Sequence, residues 1–285
     1  MKYTIRRRDF CTNLLAGLAV PSLAWSQANS SLEIGVLPNL SARILLAQYQ
    51  PMREFLTREM KRTVHVSTAP NWNTFHERTM ALEYDLVVTA ANLARLAQLD
   101  RGYTPLLSYA PKIKGMVASA SAKPIKAISE LRGQTLVLSN PQSLVTLRGM
   151  QWLAENGLKR HQHFKTINVP TDDSVGSVVV RGDAFAAMLS GGEHRAIPEA
   201  VKAQLQILTV FTEVPGFVVM ANPKLPALQA RAIKENLLRF ASGTAEGKAF
   251  FASSGFSDIR EPEAGLMESL DTYIEATRMV MAPAA

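Results

Sequence analysis

Tyr84-Asp85-Leu86-Val87-Val88-Thr89-Ala90 is the clearest buried strand of this 285-residue chain. It is a short apolar run, rich in β-branched residues and closed by small ones. Upstream, Trp72 to Glu83 has helical spacing, and His65-Val66-Ser67-Thr68-Ala69 reads as another strand. A helical pattern runs from about Ala42 to Met60, preceded by a first strand, Leu32 to Leu37, that Pro38-Asn39 breaks. This alternation predicts a parallel sheet covered by helices.

Downstream the pattern repeats. Thr104 to Tyr109 and Lys114 to Ala120 are apolar runs, and a new helix and strand unit opens at Ile125. Gln134 to Ser139 reads as a strand, Leu144 to Leu158 as a helix, and Lys165 to Val169 as a strand. Asp173 to Arg181 is a short helix, and Ala184 to Leu189 another apolar strand. Ile207 to Thr212 and Gly216 to Ala221 close the block. From Pro226 onward the patterns are mostly helical, broken at Gly243, Gly247 and Gly255. No repeat or long polar linker divides the chain, so two lobes joined by crossing strands are expected, with crossings near residues 114–121 and 212–222.

The chain carries 47% hydrophobic and 19% charged residues, which excludes a disordered tail. Its formal charge of +7 is partly contributed by the first residues. Lys2, Arg6, Arg7 and Arg8 precede a short, mildly apolar stretch from Leu14 to Ala24, and Ser26-Gln27-Ala28 suits cleavage before Asn29. This is the pattern of an export signal, and Arg7-Arg8-Asp9-Phe10 looks like a twin-arginine motif. Cleavage after Ala28 removes four of 31 basic and one of 24 acidic residues, taking the charge from +7 to +4. It also removes Cys11, the single cysteine, which lies before the apolar stretch and is wrongly placed for a lipoprotein anchor. No later segment approaches a membrane span, so a soluble periplasmic protein is expected.

The most informative turn is Ser139-Asn140-Pro141-Gln142-Ser143-Leu144-Val145-Thr146-Leu147-Arg148, between a strand and a helix. Asn140 suits an N-cap and Pro141 a first helical position, leaving the next amides and the Ser143 hydroxyl free for an anion. Capping without a ligand explains the same residues. Arg148, on the second helical turn, either neutralises the anion or faces water. Asn39 and Ser41 after the first strand, and Thr89 and Ala90 after the third, are small polar edges where open sheets bind ligands. Trp72 and Phe75 either wall a cavity or pack as core. Thr171 and Asp172 begin a helix as caps, or meet the cavity.

Catalytic and nucleic-acid motifs are missing. His161-Gln162-His163 lacks a third metal ligand, and no nucleophile elbow, P-loop, dinucleotide fingerprint or HExxH occurs. A net charge of +4 needs no nucleic-acid partner. No metal or cofactor is expected.

The ordered set Gly35-Val36-Leu37-Pro38, Tyr84-Asp85-Leu86, Ser129 to Gln134, Asn140-Pro141-Gln142-Ser143, Val180 to Ala184 and Pro215-Gly216-Phe217-Val218 resembles the periplasmic phosphonate/phosphate/phosphite-binding proteins, the solute receptors of ABC importers. The resemblance implies an α/β fold of two lobes, each a mostly parallel sheet flanked by helices, joined by two crossing strands. The implied division is 1–28 export signal, 29–115 and 216–285 first lobe, and 116–215 second lobe. It also implies a monomeric, non-enzymatic receptor that closes on a small-molecule ligand and meets an ABC permease or a membrane sensor kinase. An exported enzyme acting on a small acid is the rival class. Relatives that bind phosphonate follow the counterpart of Ser143 with further hydroxyls and a glycine. This chain has Leu144, Val145 and Thr146, and the family histidine is replaced near Thr171-Asp172. Only Ser143 carries over, and its change to alanine is expected to weaken an anion while leaving folding largely intact. The ligand is thereby widened from a phosphonate-like oxyanion to a partly apolar organic acid.

Overall fold

Leu86-Val87-Val88-Thr89 is buried at every position, because its two faces meet different sets of helices. The structure is a computed structural model that describes residues 31–138, 140–169 and 174–282. The leader, Thr171 and Asp172 lie outside the described residues.

Strands β1 (Leu32–Val36), β2 (Val64–Ser67), β3 (Leu86–Thr89), β4 (Thr104–Ala110), β10 (Val218–Ala221) and β11 (Asp258–Arg260) form one sheet, in the order β11-β4-β10-β3-β1-β2. Around it lie helices α1 (Ala42–Met60), α2 (Trp72–Met80), α3 (Ala91–Arg101), α8 (Ala227–Gly243), α9 (Ala245–Ser254) and α10 (Ile274–Met281). A second sheet has the order β7-β6-β8-β5-β9, from β5 (Ile113–Ala120), β6 (Thr135–Leu138), β7 (Lys165–Asn168), β8 (Ala186–Ser190) and β9 (Leu205–Val214). It carries α4 (Leu144–Glu155), α5 (Ser174–Val180), α6 (Gly191–Ala196) and α7 (Glu199–Lys202). The protein is a two-lobed α/β fold.

Each lobe is built on buried apolar stripes. Helix α1 buries Leu45, Tyr49, Met52, Phe55 and Leu56 along one face, the spacing of an amphipathic helix. They pack with Leu86 and Val88 from β3 and with Phe240 from α8. Each such aliphatic or aromatic side chain contributes about 1.5–3 kcal/mol by leaving water. Val87 turns to the opposite face, with Phe75, Ala94, Val218 and Met220.

The sheets are mixed, where mostly parallel ones were expected. Pairing is parallel across β2-β1-β3 and β7-β6-β8. It is antiparallel wherever β4, β5, β9, β10 or β11 takes part. Strands β5 and β10, each entered from a passage between the lobes, run against the parallel set, as does β11, while β4 and β9 keep its direction. The run Lys114–Ala120 lies inside the second sheet as β5, and the chain passes between sheets at residues 111–112 and 215–217. The end of β4, just before the first passage, bonds to the second: the Tyr109 amide donates to the Phe217 carbonyl at 2.8 Å. Gly216 is required there, since a Cβ would stand 2.7 Å from the Tyr109 carbonyl oxygen.

Gly247 does not break the C-terminal helices. It lies in the first turn of α9, where its amide is capped by Thr244 Oγ1 at 2.9 Å, and a Cβ would collide with the Phe240 carbonyl. Strand β11 escapes a periodicity reading because three residues carry no pattern. Helix α4 ends at Glu155, capped by Asn156, with Gly157 at φ +74°.

Candidate functional site

Two buried oxygens lack a hydrogen-bond partner at the end of β3. Thr89 Oγ1 and Asn92 Oδ1 belong to residues 1% and 0% exposed, respectively. A buried polar atom left unpaired costs about 1–3 kcal/mol, so such a pair requires an explanation. Thr89 shares the strand face of Val87, which looks into the apolar cluster that also contains Leu144 and Val145 of the second lobe. Asn92 touches that lobe directly: its Nδ2 donates to the Gln142 carbonyl at 3.2 Å and to Thr277 Oγ1 at 3.3 Å.

Two helix starts meet here. Helix α3 begins after Ala90, which offers no side-chain cap. Its first-turn amides, on Ala91, Asn92 and Leu93, have no intrahelical acceptors. Helix α4 begins at Leu144 with Ser143 as N-cap, not with Asn140 as N-cap and Pro141 as the first helical position. Asn140 instead accepts the Gln142 amide through Oδ1 at 2.8 Å, closing a local turn that Pro141 only spans. Ser143 Oγ accepts the Thr146 amide at 3.1 Å and contacts Thr146 Oγ1 at the same distance. Thr146 in turn donates to the Asn140 carbonyl at 2.7 Å. The Ser143 hydroxyl is therefore occupied by capping, while the Leu144 and Val145 amides keep no intrahelical acceptor. Both helix starts carry partial positive charge toward the junction of the lobes.

The walls are apolar. Leu144 and Val145 are 4% and 5% exposed and share their cluster with Leu37, Phe75, Val214 and Val218. Trp72, Phe211 and Phe217 pack at its margin. Gln142 Nε2 donates to Asn73 Oδ1 and, at 3.4 Å, to the Val280 carbonyl, adding a second link between lobes. On the opposite side Arg195 donates to the Ser254 carbonyl at 3.3 Å. The lobes are in direct contact.

Thr89, Ala90, Trp72 and Ser143 thus come together at this junction. Asn39 and Ser41 stand just beyond β1, the strand beside β3: the Asn39 amide donates to the Leu37 carbonyl at 2.8 Å, and Ser41 begins α1 without a side-chain cap. Pro141 is half-buried in the turn. Arg148 does not join them. It reaches down α4 to Glu155 at 3.2 Å, because a side chain on the second turn finds a carboxylate closer than the helix start. Asn92 and Gln142 lie in turns that the sequence marked as ligand edges but were given no role of their own, and Asn73 and Thr277 were not singled out.

A cavity of about 310 Å³ lies elsewhere, between α2, α3 and α10 of the first lobe. Its polar wall includes the Asp100–Arg278 pair, doubly bonded at 2.6 Å, and burial pushes the His76 imidazole below its ordinary value. His163 Nδ1 accepts the Lys159 amide at 2.9 Å, and among the described residues no three His, Cys, Asp or Glu side chains gather to hold a metal.

Two α/β lobes joined by two passages, with the starts of α3 and α4 at their junction, are the architecture of a class of binding protein. The family described as "ABC transporter, phosphonate, periplasmic substrate-binding protein" matches residues 34–265, and this chain belongs to it. It is a solute-binding receptor of the periplasmic type, whose family works with ABC permeases. Among the described residues no helix is long and apolar enough to cross a membrane. The fold is similar to PhnD1 from Prochlorococcus marinus in complex with methylphosphonate, with TM-score 0.75 and 14% identity over 88% of this chain and 98% of that one. It is also similar to XAC2383 from Xanthomonas citri bound to ATP, with TM-score 0.74 and 19% identity over 88% and 99%. The aliphatic sulphonate binding protein SsuA from Escherichia coli has TM-score 0.63 and 16% identity over 88% and 93%. No curated protein matches the sequence.

Proposed function

We propose that the protein binds a small acid between the starts of α3 and α4, with its anionic head on the helix amides and an apolar body against Trp72, Leu144, Val145 and Phe211. The observation that carries this reading is the unpaired, buried Thr89 hydroxyl and Asn92 carboxamide oxygen beside two helix starts. Preorganised amides hold an anion without a countercharge, and none of the side chains named at the site is a cation. The lobes touch directly, so entry requires them to part, and closure over the solute supplies the signal that a membrane partner reads.

The working molecule begins after Ala28, exported by the twin-arginine route, and is a monomer of two lobes between which the chain passes at residues 111–112 and 215–217. It delivers its solute to an ABC permease and performs no chemistry on it; a membrane sensor kinase is the alternative partner.

A thermal-shift screen of residues 29–285 against phosphate, phosphite, phosphonates, sulfonates and small carboxylates tests the reading. A ligand at a hundred times its Kd adds about 2.7 kcal/mol to the folded state, a readily measured rise. No response to any of them, with calorimetry equally silent, overturns it. That outcome favours a second reading, an interaction protein whose cleft is filled by its own side chains, which the contact of Leu144 and Val145 with the first lobe supports.

A further inference from the structure

The strands of the second sheet gather a set of cations at the end of that lobe away from its junction with the first. Strand β6 leads at its C-terminal end into the turn before α4, β7 and β8 run parallel to it, and β5 runs against β8. The end of β5 and the starts of β6, β7 and β8 therefore share the other end. Lys123 follows β5, where its amide donates to the Ala120 carbonyl at 2.9 Å. Lys126 and Arg132 flank the single turn Ile128–Leu131 that precedes β6. Arg132 Nη2 donates to the Gly157 carbonyl at 3.0 Å, and the Gly133 amide to the His163 carbonyl at 2.7 Å. The Lys165 amide donates to the Gln134 carbonyl at 2.9 Å. These bonds fold Lys159, Arg160 and Lys165 against the same corner. The twelve residues of α4 separate this pole from the junction of the lobes by about 18 Å.

All six side chains are exposed. Among the described residues none of the six belongs to an ion pair. The carboxylates nearby are already engaged. Glu130 accepts the amides of Lys126 and Ala127 at 2.9 and 3.0 Å, Glu155 pairs with Arg148, and Asp183 pairs with Arg181. Residues 121–170 hold seven basic and two acidic side chains, a net +5. The chain after Ala28 carries +4, so everything outside this stretch has a net charge of −1. The positive charge of the protein is one patch.

We propose that this pole docks on an anionic lipid surface, with its Lys and Arg side chains among the lipid phosphates. Four of the six cations are Lys, the residue depleted from protein interfaces, which rely on buried aromatic and Arg anchors. Single-stranded nucleic acid needs aromatic rings to stack on, and among the described residues no aromatic side chain is exposed in the patch. Hydrated, flexible ammonium groups carried on turns and a strand edge suit a fluid array of phosphates instead. Ile167, 38% exposed, stands two residues beyond Lys165 on the same face of β7 and adds an apolar contact. Each cation near such a surface raises the partition about fivefold. Docking at this end leaves the junction of the lobes, at the other end of α4, clear of the membrane. The proposal does not depend on which solute the protein binds.

Residues 31–285 form a compact unit by themselves, so the chain from Asn29 onward, without the cations of the leader, serves for the test. It is sedimented with vesicles of phosphatidylcholine alone and of phosphatidylcholine with about 30% phosphatidylglycerol. At about 0.1 M salt the anionic vesicles should bind it about tenfold or more tightly than the neutral ones. At about 1 M salt, where the Debye length falls to about 3 Å, the difference should disappear. Lys159→Gln combined with Arg160→Gln should lower the partition about 25-fold. Its melting temperature should hold, since among the described residues neither side chain has a hydrogen-bond or ion-pair partner. Arg231→Gln combined with Lys248→Gln removes the same charge from exposed positions on α8 and α9 of the first lobe. That pair should change the partition by less than about twofold, because charges beyond the Debye length are screened. Equal losses in the two pairs would assign the effect to net charge and overturn the docking surface. Equal binding to both kinds of vesicle overturns it as well. So does failure to sediment with the anionic vesicles at low salt, even where the patch retains DNA or an acidic polypeptide.

Discussion

The Tyr109 amide and the Phe217 carbonyl are joined by a hydrogen bond of 2.8 Å, so the two passages between the lobes are tied to each other beside Gly216. Phe256 packs against both aromatic rings, with centroids 5.2 Å from Tyr109 and 5.6 Å from Phe217. A hinge made this way moves as a packed unit.

Gly216→Ala places a methyl 2.7 Å from the Tyr109 carbonyl and 3.1 Å from the Phe256 ring. The backbone of one passage must shift, at a cost of about 2 kcal/mol. Scanning calorimetry should show a fall of about 4–8 °C in Tm. An unchanged Tm would mean that the passages yield freely and are not packed as a unit.

Ser143→Ala should cost about 1 kcal/mol of stability, because the hydroxyl caps the Thr146 amide at 3.1 Å. Sequence alone suggested that this change would leave folding largely intact. Urea unfolding distinguishes the two: a midpoint equal to that of the parent removes Ser143 as the cap of α4.

Gln142→Ala removes the side-chain bonds to Asn73 and the Val280 carbonyl. The ligand-free protein should shift toward the open form by about fivefold, the equivalent of about 1 kcal/mol. Small-angle scattering should record a larger radius of gyration. If the radius is unchanged, this contact does not hold the lobes together.

Tyr49 faces Tyr109 at 3.3 Å between hydroxyl oxygens, and burial pushes its pKa up to about 12. The folded state therefore keeps a proton that the unfolded chain releases above about pH 10. The stability linked to this group is complete below about pH 10 and declines as pH rises through the folded value, by about 3 kcal/mol at most. Urea midpoints should fall steeply between about pH 10 and about pH 12. Tyr49→Phe should flatten that fall, and an equally steep fall in the variant would assign the effect elsewhere.

The alternation of strands and helices was legible because buried parallel strands read as apolar runs, as at Leu86–Thr89, and because helix faces such as Leu45-Tyr49-Met52 repeat every three to four residues. Thr89 and the turn before α4 were marked as candidate ligand edges for the same local reason: small polar residues follow a strand and open a helix. The roles inside that turn were not. Asn140, Pro141 and Ser143 are each credible starts to a helix, and only the backbone path decides that Ser143 is the cap.

By itself, then, the sequence determined the two α/β blocks and marked the ends of β3 and β6 as candidate ligand edges; the resemblance added that Leu144 and Val145 stand where relatives have hydroxyls. Local pattern carries that information because it depends on residues adjacent along the chain. Only the tertiary structure decided that Asn92 meets Gln142 across fifty residues, that Thr277 near the C-terminus fixes the same carboxamide, and that Arg148 turns away to Glu155. Strand direction near the passages belongs with these. Each depends on which distant segments share a space, and no pattern among neighbours along the chain records that.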